Sequence, residues 1–165
     1  MEIINLNNPK EVENIKGSCI VGLGNFDGIH LGHQKLIKNV VNNKENLIPS
    51  ILLFRQHTNE TLDLFYDNSY ITSLEDKIEI LKKLNIQRIF LIKFDSKFME
   101  MGPVTFVEDF LMSTLKAKKV VVGEDYTFAK GGKSDVSFLK KYEGKDFEVI
   151  ITDEVKFHNE KISSS

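Results

Sequence analysis

The chain has 165 residues, of which 41% are hydrophobic and 28% charged, and this composition is typical of one soluble globular domain. Its formal net charge of −2 lacks the basic bias that nucleic-acid-binding proteins usually carry, so we predict no nucleic-acid partner. No apolar run is long enough to span a bilayer, and the first residues do not resemble a signal peptide. We therefore expect a cytoplasmic protein with no membrane partner, and the single cysteine, Cys19, is consistent with a reducing compartment.

Short apolar runs alternate along the chain with amphipathic stretches. The first of them, residues 18–23, predicts a buried strand that is followed by a turn at 24–28 and a helix at 31–41. The later predicted elements are a strand at 47–54, an irregular segment at 59–70, a helix from the capping box Thr72–Glu75 to about Leu84, a strand at 86–94, a helix from Pro103 to about Leu115, a strand at 120–123, a mobile loop at Gly131 and Gly132, a helix at 136–142, a strand at 147–151 and an extended or frayed end at 155–165.

This alternation predicts an α/β fold with a doubly wound parallel sheet of about five strands, in a single domain over residues 1–165. Parallel strands are joined by right-handed crossovers, and ligands of such sheets bind beyond the carboxyl ends of the strands. The segments that follow strands are therefore the candidates for a site: 24–33, 55–58, Asp95 and 123–133.

The segment Gly24–His33, GNFDGIHLGH, carries the strongest chemical signal. It follows a strand and opens a helix, so its glycines allow close approach of a ligand and the unpaired N–H groups of the helix start suit phosphate. His30 and His33 are three residues apart and face the same way. The pair predicts an anion clamp that stabilises charge on a phosphorus atom under attack.

Three other interpretations of this segment compete with the anion clamp. The dinucleotide fingerprint fails because its third glycine falls on Asp27. A metal pair lacks a third ligand at a suitable spacing. Ordinary surface histidines are the default for any single histidine, but two of the chain's four lie in this one glycine-containing turn.

The segment resembles the H-x-G-H signature of the nucleotidylyltransferase superfamily. In detail it is similar to the N-terminal FMN adenylyltransferase domain of prokaryotic-type FAD synthetases, which are bifunctional with riboflavin kinase. The resemblance extends over nearly all of the chain, through the segments ITSLEDKIEILKKLNIQRIFLIKFDSKF, PVTFVEDFL, VVVGEDYTFAKGGKSD and the terminal KISSS.

The resemblance implies a Rossmann-like fold and an enzyme that transfers AMP from ATP to FMN with Mg²⁺, giving FAD and pyrophosphate. His30 and His33 match the signature histidines and are implied to be catalytic. The implied ATP-binding residues are Gly24, Asn25, Phe26, Asp27, Gly28, Gly32, Ser163 and Ser164. The implied flavin-binding residues are His57, Asp125, Tyr126 and Phe128, with packing under the loop as an equal alternative for the two aromatic rings.

The sequence departs from the family pattern at four places. The family's Phe-x-Pro-His-Pro-like segment reads FRQHT, with no proline, so His57 has two equal interpretations, flavin contact and plain surface histidine. Ala129 stands where the family has glycine, which costs about 1 kcal/mol if the position needs positive φ. The basic tract after it, residues 130–133, either holds phosphate or is a solvated loop.

The fourth departure is the end of the chain. It stops at Ser165, inside a motif whose following arginine helps to hold the triphosphate in the family, and the riboflavin kinase domain is absent. We expect a fragment of a two-domain enzyme, with a natural single-domain protein as the alternative. Two further functional hypotheses stay open: a nucleotidylyltransferase with another phosphorylated acceptor, and a non-catalytic module that binds nucleotide or flavin.

Overall fold

The computed structural model describes residues 1–26, 33–55 and 73–153 in full, and the backbone alone of residues 31–32, 156–157 and 160–161. In chain order, the strands are β1 (Glu2–Asn5), β2 (Cys19–Gly22), β3 (Ile48–Arg55), β4 (Arg88–Lys93), β5 (Ala117–Gly123), β6 (Thr127–Phe128), β7 (Ser134–Asp135), β8 (Glu148–Thr152), β9 (Lys156–Phe157) and β10 (Glu160–Lys161). The helices are α1 (Pro9–Glu13), α2 (Leu31–Asn42), α3 (Leu74–Lys83), α4 (Ser96–Met99), α5 (Thr105–Thr114) and α6 (Val136–Lys140).

Six of the strands form one parallel sheet in the order β1-β4-β3-β2-β5-β8. From β2 the chain first moves outward through β3 and β4, then returns to the other side of β2 to place β5 and β8. This reversal makes the sheet doubly wound, so the predicted fold class is confirmed, and the switch point lies between β2 and β5.

Helices cover both faces of the sheet because the strand residues alternate between two apolar layers. We call these the α2 layer, which contains buried residues of α2 and α3, and the α5 layer, which contains buried residues of α5 and α6. In β2, for example, Ile20 belongs to the α2 layer, whereas Cys19 and Val21 belong to the α5 layer.

Three local features differ from the expectations of the sequence. The sheet has a sixth strand, β1, which pairs with β4 at the edge, and α1 and α4 are additional short helices. The side chain of Ser73, not Thr72, caps α3 by accepting a hydrogen bond from the N–H of Asp76 at 3.1 Å, so the capping-box prediction is wrong by one residue. Thr72 itself lies outside the described residues.

The predicted mobile loop and the predicted extended or frayed end both contain or adjoin paired strands. Gly131 and Gly132 form a 3₁₀ turn at the tip of the antiparallel hairpin β6–β7, where the sequence predicts a mobile loop. The backbone described within residues 155–165 pairs as the short antiparallel ladder β9–β10. Pro103 and Val104 are helical and lead into α5, whose backbone hydrogen bonds are of the wider i→i+5 type, so the predicted start of that helix at Pro103 is confirmed.

Gly22, the last residue of β2, allows α2 to approach the sheet. A Cβ at this position would lie 2.7 Å from Ile51 Cδ1, 2.9 Å from Leu36 Cδ2 and 3.0 Å from Val40 Cγ2. All three neighbours are buried in the α2 layer, so none of them has free space to move into. Glycine at position 22 therefore sets the distance between the sheet and the helix that follows the predicted phosphate-binding turn.

Gly22→Ala is expected to lower the free energy of unfolding by about 1–3 kcal/mol, because the added methyl overpacks the contact between β2 and α2. Urea denaturation of the variant and the parent chain measures this loss. Gly144→Ala is the matched control, because a Cβ at Gly144 has no neighbour within 4 Å and should leave stability nearly unchanged. Equal stabilities of the two variants would show that α2 does not need the close approach.

Candidate active site at the switch point

The segments that follow β2 and β5 lie side by side at the carboxyl edge of the sheet. The two strands pair in parallel with Gly22 opposite Val121, and the N–H of Leu23 donates to the carbonyl of Val121 at 2.9 Å. The residues that follow, 24–26 after β2 and 124–126 after β5, therefore border the same crevice. Crevices at this topological position are where open α/β sheets bind their ligands.

The turn after β2 buries part of the predicted motif. Phe26 and His33 are each only 3% exposed, and their ring centroids lie 4.9 Å apart with 50° between the ring planes. Asn25, in contrast, is exposed. The structure therefore places His33 inward from α2 against Phe26, whereas the sequence predicts a histidine that reaches an anion in the turn.

Helix α2 begins at Leu31 and runs for 12 residues from this turn. Its first N–H groups have no intrahelical acceptors, and the helix dipole gives this end a partial positive charge. Gly32 lies in this first turn, and only its backbone is described. A phosphate at the start of α2 would meet these N–H groups, as the sequence predicts.

Asp125 lies on the opposite side of the crevice. Its side chain is exposed, and its Oδ1 is 3.3 Å from the point where a Cβ on Gly123 would stand. The N–H of Tyr126 donates to the carbonyl of Gly123 at 3.1 Å and closes a tight turn. The turn holds the Asp125 carboxylate at the end of β5, facing solvent.

The two aromatic residues after Asp125 differ in their surroundings. Phe128 is 6% exposed and stacks on Phe106 of α5, with centroids 5.0 Å apart. Its burial in the α5 layer agrees with the packing interpretation of this ring. Tyr126 stacks on Phe128 at 5.8 Å, and burial raises the pKa of its phenol above the ordinary value, so the hydroxyl stays protonated near neutral pH. Contact of either ring with flavin stays a prediction.

The loop of the hairpin β6–β7 begins with a strained residue. Ala129 has φ 67° and ψ −176°, a region that residues with a Cβ rarely occupy. The position where the family has glycine therefore does need a positive φ in this chain. The next residue is held in place, because the N–H of Lys130 donates to the carbonyl of Met101 at 3.1 Å. The hairpin is therefore tied to the segment before α5 at the cost of backbone strain at Ala129.

Ala129→Gly is expected to raise the free energy of unfolding by about 1 kcal/mol, because glycine adopts this backbone conformation without the Cβ clash. Thermal and urea unfolding of the variant measure the gain. The chain's only other alanine, Ala117, lies in β5 and supplies the control, since Ala117→Gly should destabilise the protein. A loss of stability in both variants would contradict the strain at Ala129.

A group of three aromatic rings at the ends of β3 and β4 has no predicted role in the sequence analysis. Phe54 lies 5.3 Å from Phe94 and 5.3 Å from Phe98, centroid to centroid, and Phe94 is 45% exposed. In the sequence, this group is indicated only by the aromatic residue that ends each of two predicted strands, Phe54 and Phe94. The group extends the carboxyl edge with an apolar, partly exposed surface.

Six of the predicted site residues fall outside the residues whose structure is described. They are Asp27, Gly28, His30, His57, Ser163 and Ser164. The described residues bring together Gly24, Asn25, Phe26 and His33 on one side of the crevice and Asp125 and Tyr126 on the other, with Phe128 beneath them in the core.

Within residues 1–26, 31–55 and 73–153 no three His, Cys, Asp or Glu side chains cluster closely enough to hold a metal ion by themselves. In the same part of the chain no helix is long and apolar enough to cross a membrane.

The sheet order and the crevice at its switch point define the class of this protein as a Rossmann-like, doubly wound α/β domain. Residues 12–165 match the FAD synthetase family. The chain belongs to that family.

The similar proteins are about twice as long as this chain. The bifunctional riboflavin kinase/FMN adenylyltransferase of Listeria monocytogenes is 36% identical over 149 residues, which are 88% of this chain and 47% of the relative. The protein of the same description from Buchnera aphidicola subsp. Schizaphis graminum is 30% identical over 93% of this chain and 51% of the relative. A crystal structure titled as a macrolide-efflux protein from Streptococcus pneumoniae has a TM-score of 0.74 and 29% identity, and the likeness covers 99% of this chain and 54% of that one. The chain thus spans about half the length of these relatives.

Proposed function

We propose that this chain is an FMN adenylyltransferase, which transfers AMP from ATP to FMN and releases pyrophosphate. The observation that carries the proposal is the match to the FAD synthetase family over residues 12–165. Residues 24–26, the described start of the predicted signature turn, border the switch point of the sheet. The names of two relatives include the same activity. ATP and FMN are then the substrates and FAD is a product.

In this proposal the start of α2 holds the phosphates of ATP. The free N–H groups of its first turn and the turn residues Gly24–Gly28 bind the triphosphate, and His30 stabilises the negative charge that develops on the α-phosphorus. A phosphate oxygen of FMN attacks that phosphorus, the bond to the pyrophosphate oxygen breaks, and pyrophosphate leaves. No covalent enzyme intermediate forms, so positioning and charge stabilisation account for the rate.

His33 is assigned a share of this work from its buried place against Phe26. Its ring supports Phe26 at the start of the turn and lies in a region of low dielectric, where its hydrogen bonds have a larger effect than in water. The sequence predicts a direct contact between His33 and the ATP phosphates. This contact requires that the His33 ring is accessible to the bound ATP.

Mg²⁺ is included in the proposal because the residues present are suitable for it. The ion usually binds one or two carboxylates together with substrate phosphates and water, and does not need a cage of protein ligands. Asp125 offers an exposed carboxylate at the crevice. When bound, the ion would neutralise part of the triphosphate charge.

Three further assignments belong to the same proposal. Ser163 and Ser164 bind ATP phosphate, and His57 contacts the flavin together with Asp125 and Tyr126. The 165 residues form one nucleotidylyltransferase domain. A riboflavin kinase domain is its partner in a longer parent protein, as the descriptions of the relatives suggest.

The test is a chromatographic assay of this chain with ATP, FMN and Mg²⁺ that detects FAD and pyrophosphate. FAD formation above that of a His30→Ala/His33→Ala control supports the proposal. The same assay with CTP and with other phosphorylated acceptors covers the alternative enzymes. Turnover with another acceptor but not with FMN, or binding of FMN without any pyrophosphate release, would contradict the proposal.

A further inference from the structure

Two positive side chains lie next to each other at the carboxyl edge of the sheet. Arg55 is the last residue of β3, Lys93 is the last residue of β4, and the two are register partners in the parallel pair. Both side chains are exposed. Like charges at paired positions of neighbouring strands repel each other, so this arrangement lowers the stability of the free protein.

Both residues lie on the face of the sheet that α2 covers. Leu53 and Leu91, two residues earlier on the same strands, are buried in the α2 layer. Because side chains on one face recur every second residue, Arg55 and Lys93 continue that face beyond the buried core. They therefore stand on the same side of the sheet as the start of α2, one and two strands away from β2.

No described residue neutralises this pair. The ion pairs Arg88–Glu2 and Lys119–Glu45 do not involve it. Glu75 and Asp76 lie in the first turn of α3, which also packs in the α2 layer, and form no ion pair with it. The carboxylate of Asp95 accepts a hydrogen bond from the N–H of Phe98 at 2.9 Å and caps α4.

The neighbours of the pair on the same strands are aromatic. Phe54 precedes Arg55, and Phe94 follows Lys93, with their ring centroids 5.3 Å apart. Phe54 packs on the α5 layer, so these rings lie on the face of the sheet opposite to the two charges, and the two groups meet only at the carboxyl edge. A ligand that extends across this edge, with an aromatic ring system on one side and a phosphate on the other, matches the arrangement.

We propose that Arg55 and Lys93 bind the phosphate of the acceptor substrate and select a phosphorylated flavin over the free flavin. This inference rests on the proposed function. The acceptor phosphate has to approach the negatively charged triphosphate, and two positive side chains on the side of β2 away from β5 offset that repulsion. The repulsion within the pair is relieved when the acceptor binds, which gives the site a preference for the charged substrate.

The test compares the affinities for FMN and riboflavin by quenching of flavin fluorescence, using the full chain. Arg55→Gln and Lys93→Gln are each expected to weaken FMN binding roughly tenfold or more, because each removes a charge-assisted hydrogen bond to phosphate. Riboflavin binding and ATP binding should stay unchanged. Arg55→Lys and Lys93→Arg retain the charge and should recover most of the FMN affinity.

Lys118→Gln is the matched control. Lys118 is an exposed lysine of the same sheet, but it lies near the start of β5, at the amino ends of the strands. Unchanged FMN affinity in the Gln variants, equal loss for FMN and riboflavin, or weaker binding of ATP instead of FMN would each overturn the inference. These outcomes are separate from failure of the proposed function, which would appear as no FAD from the unmodified chain with ATP, FMN and Mg²⁺.

Discussion

Replacing His30 with alanine is expected to lower kcat for FAD formation roughly 100- to 1,000-fold, while the Kd for ATP changes by much less. The side chain is proposed to stabilise charge that exists fully only in the transition state, and loss of one such donor in a preorganised site has an effect of this size. Steady-state kinetics for kcat, and equilibrium binding of ATP to the free enzyme for Kd, measure the two quantities separately.

Parallel losses in kcat and in ATP affinity would contradict this role and assign His30 to ground-state binding. His158→Ala supplies the control, because His158 belongs to no predicted site segment. His33→Ala should also slow turnover, and it should in addition lower stability, because it leaves a cavity beside Phe26. The effects of the two substitutions need not add, because both act on one bound ligand.

The central part of the fold could be predicted from the sequence because its signal is local. Strands β2, β3, β4, β5 and β8 are short, strongly apolar runs, and their alternation with helices determines a parallel sheet. Strand β1 carries a weaker signal. It contains only two apolar residues, Ile3 and Ile4, and Ile3 is 44% exposed at the edge of the sheet. The pairing with β4 that makes it a strand joins positions 86 residues apart, such as Glu2 and Arg88, and no local pattern reveals such a pairing.

The location of the site could also be predicted, but its internal arrangement could not. A strand, a turn with glycines and a helix start are local features, and residues 24–26, the described start of the predicted turn, follow β2 beside the switch point. The inward placement of His33 depends on Phe26, and the register of Arg55 with Lys93 depends on the pairing of β3 with β4. Both are tertiary contacts. The need for positive φ at Ala129 was predictable only as a condition, from the family's glycine at that position.

Arg88→Ala is expected to lower the free energy of unfolding by about 3–5 kcal/mol, the largest loss of stability that we predict, because it removes a large buried side chain and its hydrogen bonds. Arg88 is only 2% exposed, and its Nε donates to Glu2 Oε1 at 2.7 Å. Its two terminal nitrogens donate to the carbonyls of Lys16 at 2.5 Å and Gly17 at 3.3 Å. The guanidinium thus joins β1, β4 and the loop before β2, and alanine would leave a cavity and two carbonyls without this donor.

Urea unfolding of Arg88→Ala, Arg88→Lys and Glu2→Gln separates the parts of this network. Lysine retains the charge but cannot donate in three directions from a planar group, so Arg88→Lys should lose an intermediate amount. Glu2→Gln should cost about 1 kcal/mol or less, because the Glu2 side chain is 51% exposed and solvent screens the pair. If Glu2→Gln is as damaging as Arg88→Ala, the ion pair itself holds the edge strand. The expected order instead assigns that role to the guanidinium and its two carbonyl acceptors, through which a buried arginine anchors an edge strand that local sequence pattern does not specify.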